Sequence, residues 1–178
     1  MSFLEITAQI FGFLALAANI LSFHFKKYRQ IVIFQMLSSV LFTVHFMLLW
    51  GAGRSDAITA GILNGLSLFR NGLLILTEKK RTEKQTALIA GFFSAAVVAF
   101  GLLTWSSWIS VLFIISMVLV TVSMSIRKPN ILRLLCLIAA PFAFVYDLLI
   151  GSVGGSVNEA ISFLSALIAF LRNRRSGS

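Results

Sequence analysis

The side chains of this sequence that can do chemistry are few, and most sit where polarity is costly. His45 and Asp147 lie near equivalent ends of two long apolar runs. An imidazole that titrates near neutral pH beside a carboxylate can carry protons in step with a solute. Asn19 and Asn64 each fall about halfway along an apolar run. A buried amide there must find partners in another helix backbone, in water or in a ligand. Ser38, Ser39 and Asn158 add hydroxyl and amide groups on helical stripes. Pro141, inside a run, removes one backbone hydrogen bond and can kink a helix or serve as its hinge. The expected roles are substrate contact for Asn19, Ser38, Ser39, Asn64 and Asn158, and proton coupling or gating for His45, Asp147 and Pro141. Arg70 lies deeper than its neighbouring cations and is expected to snorkel to the surface.

Covalent and metal chemistry find little support. The sequence holds two histidines and one cysteine, and no Cys/His cluster has zinc spacing. There is no phosphate-binding glycine loop, no His-Glu-x-x-His and no Gly-x-Ser-x-Gly. No catalytic residue, cofactor or metal is therefore expected. Cys136 lies within an apolar run and reads as a small core residue.

These groups must be positioned by elements that live in lipid. Of 178 residues, 58% are hydrophobic and 12% charged, about half the usual quarter for a soluble domain. A soluble enzyme, a disulfide scaffold and a disordered chain are excluded on that ground. Runs of about 20 apolar residues, the length that spans a bilayer, occur at 8–25, 31–50, 56–77, 86–105, 106–126, 131–150 and 156–171. The first lacks the basic start and small-residue cleavage site of a signal peptide. The fourth and fifth are parted only by Trp105-Ser106-Ser107-Trp108.

The cations give an independent count. Lysine and arginine total 15 against 6 acids, a net charge of +9. In a soluble protein that would suggest nucleic acid. Here Lys26, Lys27 and Arg29, then Arg70, Lys79, Lys80, Arg81 and Lys84, then Arg127, Lys128 and Arg133, then Arg172, Arg174 and Arg175 fall in alternate turns. Seven spans place every cation but Arg54 on one side, the cytoplasmic one by the positive-inside rule. Trp50, Trp105 and Trp108 then mark the opposite interface. The N-terminus is expected outside, in the periplasm, and the C-terminus in the cytoplasm of a bacterial cell.

The chain also repeats. Displaced by 100, Ile31 falls on Ile131, Phe42 on Phe142, Phe46 on Tyr146 and Gly51 on Gly151, and the Lys26-Lys27 turn meets the turn holding Arg127-Lys128. Displaced by 102, Asp56 falls on Asn158 and Arg70-Asn71 on Arg172-Asn173. Residues 1–85 thus form one three-helix repeat, 86–105 a linker span, and 106–178 a second repeat with a basic tail. The odd linker restores the orientation of the second triplet, so the repeats are parallel. The expected fold is an all-α polytopic membrane protein of plan 3+1+3. Gly12, Ala15, Asn19 and Ser22 form a stripe on the first span, and Ala57, Gly61 and Gly65 a close-packing seam on the third. The fourth span has almost no polar stripe, only Ser94 amid Ala, Val, Phe and Gly, and reads as lipid-facing.

With this plan the whole chain resembles the YgjV-type family of bacterial inner membrane proteins. The run Leu49-Trp50-Gly51, then Asp56, then Asn64-Gly65 looks like the Trp, Gly, Asp, Asn-Gly pattern in the third-helix region of SWEET and PQ-loop sugar transporters. That more distant resemblance implies a substrate-contacting role for Asn64. The corresponding position of the second repeat is Ala166, and the first and fifth spans lack the prolines of the SWEET group.

The expected function is passive or proton-coupled transport of a small polar solute, sugar-like or other, by alternating access. Expected partners are the lipid bilayer and that solute; nucleic acid is excluded and a homodimer is left open. A transporter should hold a water-accessible cavity between the repeats. The rival, a non-transporting receptor or assembly factor, should fill that space and leave Asn19 and Asn64 bonded to neighbours.

Overall fold

Two short sequence signatures set where the first and fourth helices begin. Ser2 Oγ accepts from Glu5 N–H at 3.2 Å while the Glu5 carboxylate accepts from Ser2 N–H at 2.7 Å. Thr82 and Gln85 repeat the arrangement at 3.2 and 2.9 Å. Each reciprocal pair satisfies donors that a helix start otherwise leaves orphaned. The computed structural model describes residues 2–25, 28–78, 80–126 and 129–175. Lys26, Lys27, Lys79, Arg127 and Lys128, which carry part of the charge pattern, lie outside the described residues, as do the side chains of Arg133, Ala166, Arg172, Arg174 and Arg175.

Seven helices follow in order: α1 (Phe3–His24), α2 (Tyr28–Gly51), α3 (Ala57–Thr77), α4 (Glu83–Leu103), α5 (Ser110–Ser125), α6 (Pro129–Ile150) and α7 (Val153–Arg175). Hydropathy places the start of the first span at Ala8; the capping box moves it to Phe3. The fifth helix begins at Ser110 rather than Ser106, because Trp105 to Ile109 turn the corner. The seventh begins at Val153 rather than Ser156. Its first two free N–H groups, of Val153 and Gly154, donate to Gln9 Oε1 of α1 at 3.1 and 3.3 Å.

By length and composition, α1 to α4 each hold a stretch able to cross a membrane, and α5 and α6 hold shorter apolar ones. Neighbour order closes a ring. α1 packs on α2, α2 on α3, α3 on α5, α5 on α6, α6 on α7, and α7 on α1; α4 packs outside against α3 and α5. Only 17% of the α4 span is buried, against 33%, 39% and 50% for the spans of α1, α2 and α3. That ranking fits the sparse polar content of α4. The Trp50, Trp105 and Trp108 end of the ring is here called the Trp end, and the end bearing Arg29, Lys80, Arg81 and Lys84 the basic end.

The ring is filled at the Trp end by aromatic side chains. Phe46 and Phe113 meet edge to face with centroids 5.9 Å apart, and Phe113 meets Tyr146 at 4.7 Å. Tyr146 is fully buried and its hydroxyl donates to the Asp56 carbonyl at 2.6 Å. Lipid is as apolar as these rings, so their contribution is dispersion and shape rather than escape from water.

Two glycine positions fix how closely helices approach. A Cβ on Gly154 would lie 2.7 Å from the carbonyl carbon of Gly12, so the α1 and α7 backbones touch there. On α3, a Cβ on Gly61 would meet Met47 at 3.0 Å, consistent with the expected packing seam. At the ends of α2 and α6 the residues with positive φ are Gly53 (95°) and Gly151 (75°). The same pair of bonds closes both turns: Gly53 N–H to Trp50 and Arg54 N–H to Leu49, then Gly151 N–H to Leu148 and Ser152 N–H to Asp147. Gly53, not Gly51, is therefore the counterpart of Gly151. The sequence offset of 100 fails at this turn because the left-handed position, which only glycine adopts at no cost, comes later in the first copy.

Candidate functional site

The α1–α7 contact, with α2 and α6 behind it, collects the polar side chains of the interior. Near the Trp end, α2 carries His45 and the α6–α7 turn carries Ser152. His45 is fully buried. Its Nδ1 lies 2.6 Å from the Ala8 carbonyl of α1 and its Nε2 lies 2.7 Å from Ser152 Oγ. A carbonyl only accepts, so Nδ1 carries a proton. Ser152 Oγ also accepts from Gly155 N–H at 3.2 Å and hydrogen-bonds the carboxylate of Asp147. The other carboxylate oxygen, Asp147 Oδ1, is buried with no partner. Gly155 is required beside this group, since a Cβ there would lie 2.5 Å from Asp147 Oδ2.

One hydroxyl proton between an imidazole and a carboxylate leaves two complete arrangements. In one, Asp147 is protonated and donates to Ser152, and Ser152 donates to a neutral His45. In the other, His45 is an imidazolium donating to Ser152, and Ser152 donates to the Asp147 carboxylate. They differ by one proton displaced along the chain and have equal net charge. This order also differs from a hydrolytic triad, where the imidazole stands between hydroxyl and carboxylate and activates the hydroxyl.

About 9 Å further along α7, six residues at 1.5 Å each, lies a second cluster. Gln35 Nε2 donates to Asn19 Oδ1 at 2.7 Å, Asn19 Nδ2 to Asn158 Oδ1 at 2.6 Å, and Asn158 Nδ2 to Glu159 Oε1 at 3.0 Å. Three amides from α2, α1 and α7 thus point head to tail at a carboxylate, an order in which each bond polarises the next. Ser22 closes the cluster on α1, accepting from Gln35 at 3.0 Å and donating to the Asn19 carbonyl at 2.6 Å. Ser38 Oγ donates across to the Ala15 carbonyl at 3.0 Å.

The structure therefore unites Asn19 with Asn158, and joins His45 to Asp147 through Ser152. It does not bring Asn64 or Ser39 to the same place. Asn64 donates to the Ala60 carbonyl of its own helix at 3.0 Å, and Ser39 to the Gln35 carbonyl at 2.9 Å. Each bond needs no neighbour, which explains why polarity in mid-helix did not signal a shared site. Pro141 is exposed on the outward face of α6, away from the seam. Arg70 does not snorkel. It is 3% exposed, and its Nη1 donates to Thr121 of α5 at 2.7 Å. A hydroxyl acceptor on the neighbouring helix makes the route to the surface unnecessary.

Sequence reasoning missed Ser152, which sits in a glycine-serine run that reads as a plain turn. It also missed Glu159, which lies on the second turn of α7 beside Asn158. The signal available was the pair Gly154-Gly155: glycines at a helix start, where nothing local demands them, mark a close approach.

The match that places the chain comes from its whole length. A family model described as bacterial inner membrane protein, Imp-YgjV, matches residues 6–176. The chain belongs to this family. No curated protein and no solved structure matches it. For an inner membrane protein, ionisable groups inside the helical ring are costly: insertion scales put an Asp at the helix centre at roughly 2.5 to 3.5 kcal/mol and less toward the ends. Ionisable groups kept at such cost mark candidates for function.

Proposed function

We propose that this inner membrane protein carries a small polar solute, sugar-like or other, by alternating access. In this reading the chain crosses seven times with its N-terminus in the periplasm, and α1–α3 and α5–α7 are parallel repeats joined by α4. The ring order supports the plan. Exchanging α1 for α5, α2 for α6 and α3 for α7 reproduces every ring contact, with α1–α7 and α3–α5 as equivalent seams.

The observation that carries the reading is the pair of polar clusters set along the α1–α7 seam. Packing between helices in lipid is satisfied by small apolar residues. Here the seam instead holds three amides, two carboxylates and an imidazole. In the arrangement described, those groups bond to one another. A solute would replace the bonds among Gln35, Asn19, Asn158 and Glu159 when the seam parts, with Ser38 at its edge. His45, Ser152 and Asp147 are the coupling group, their proton position biased by the state of the seam. Pro141 is the hinge of α6, and Asn64 and Ser39 contact solute only if α2 and α3 turn.

A second reading has a specific observation in its favour. Asn19 and Asn64 are both bonded to protein, as expected of a receptor or assembly factor that moves nothing. The two readings part on one experiment. Uptake is profiled across mixed sugars, amino acids and other small polar compounds in cells with and without the protein, then repeated with Asn19→Ala and Asn158→Ala. Loss of a specific uptake in both variants, at normal protein level in the membrane, supports transport. No compound distinguishing the cells would leave the receptor reading standing. For any solute found, His45→Ala should flatten the pH dependence of uptake, and an unchanged profile removes the coupling role.

A further inference from the structure

Arg81 stands in the turn between α3 and α4, directly before the capping residue Thr82. Its side chain is 6% exposed, and Nε, Nη1 and Nη2 are all buried without a hydrogen-bond partner. A guanidinium is a five-donor group that does not shed its charge in proteins. Removed from water with no acceptor, it is among the least favourable states a side chain can hold. The acids of the same turn, Glu78 and Glu83, give it no hydrogen bond. No described residue supplies an acceptor, and an anion from outside them would answer both the charge and the hydrogen-bond donors.

The surroundings narrow its chemistry. Lys80 and Lys84 are exposed on either side of the turn, as is Thr82, so the approach from the basic surface is short and positively charged. The two helices leaving the turn present large apolar side chains outward: Phe69 and Leu76 on α3 are 74% and 84% exposed, and Leu88 and Phe92 on α4 are 65% and 69% exposed. A guanidinium fork fits two oxygens of a phosphate, and the apolar faces fit acyl chains. We propose that Arg81 anchors a phosphate-binding site at the basic end of α3 and α4, occupied by the headgroup of an anionic phospholipid. The site is independent of whether the α1–α7 seam transports anything.

The test uses the full protein reconstituted in phosphatidylcholine bilayers, in the same bilayers with added phosphatidylglycerol, and in phosphatidylcholine with inorganic phosphate. Thermal unfolding should shift upward with phosphatidylglycerol, and native mass spectrometry should show retained lipid. Arg81→Met should abolish that shift and unfold at a higher temperature than wild type in pure phosphatidylcholine, because an unpaired buried charge has been replaced by an apolar chain of similar length. The double substitution Lys80→Gln, Lys84→Gln should keep the shift. Arg81→Lys, which retains charge without the fork, should retain about tenfold less lipid, and serves if the methionine variant does not fold. An undiminished phosphatidylglycerol response in Arg81→Met or Arg81→Lys overturns the site. An equal response to inorganic phosphate overturns the lipid as its occupant.

Discussion

The ring has two seams between its first three and last three helices, and they are built from different materials. At α1–α7 the backbones touch at Gly12 and Gly154, and the interior beside them is polar along the helix axis. Beside α3–α5 the interior is filled by bulk: Phe113 of α5 packs between Phe46 of α2 and Tyr146 of α6, while Thr59 of α3 reaches the Thr104 carbonyl at 2.8 Å and Ser110 of α5 at 3.4 Å. Arg70 on Thr121 secures the same seam nearer the basic end. Large rings lose many contacts if they separate. Glycine faces slide with little loss, and hydrogen bonds among amides can be exchanged for bonds to a ligand or water. The two seams should therefore divide the labour: α3–α5 holds the ring together and α1–α7 opens.

The largest effect on stability should come from the aromatic cluster beside α3–α5. Phe113→Ala removes the ring that bridges Phe46 and Tyr146 and should cost about 3–5 kcal/mol, read as a fall in unfolding temperature in bilayers. Protein that survives should keep any uptake activity per folded molecule. Complete loss of activity at full folding would place the moving parts at this seam instead.

Next in size is the glycine crossing. Gly154→Ala places a Cβ 2.7 Å from backbone that cannot rotate away, so it should cost about 1–3 kcal/mol. Gly65→Ala on α3 meets nothing nearer than Thr43 at 3.9 Å and should be neutral, or stabilising by up to about 1 kcal/mol from helix propensity. Equal destabilisation by the two would mean that the α1–α7 approach is not close in the membrane.

What could be read from the sequence, and what could not, follows the same division. Hydropathy finds helices because lipid demands an unbroken apolar length, and α4 shows its exposed nature in having Ser94 alone as a polar group between Ala87 and Leu103. Starts such as Phe3 and Val153 escape hydropathy because they are set by pairs of side-chain hydrogen bonds, between Ser2 and Glu5 or from Val153 and Gly154 to Gln9. Asn19 and Asn158 stand out in the sequence as amides on apolar helices, and the structure bonds them to each other. Asn64 looked equally promising, but its amide is spent on its own backbone. Ser152 was not legible, because its role depends on two helices meeting a turn that sequence treats as a spacer. Arg81 read as one more topological cation, and only its burial distinguishes it from Lys80 and Lys84.

The smallest effects sharpen the comparison most, because they separate function from folding. Asn19→Leu breaks the amide chain and leaves Asn158 and Gln35 short of partners, yet polar pairs inside membranes are worth only about 1–2 kcal/mol because the separated groups find substitutes. Its stability cost should be well below that of Phe113→Ala, while uptake falls to background. Thr59→Val, the matched loss of a hydroxyl at α3–α5, should cost about 1 kcal/mol and leave uptake intact. Arg54→Ala completes the series. Its ion pair with Glu5, at 3.7 Å and half exposed, ties the α2–α3 turn to α1 across neither seam, and such a pair is screened by water. It should change stability by no more than about 0.5 kcal/mol and transport not at all. If Asn19→Leu and Thr59→Val instead reduced uptake equally, both seams would have to open together, and the ring would breathe as a whole rather than part along one side.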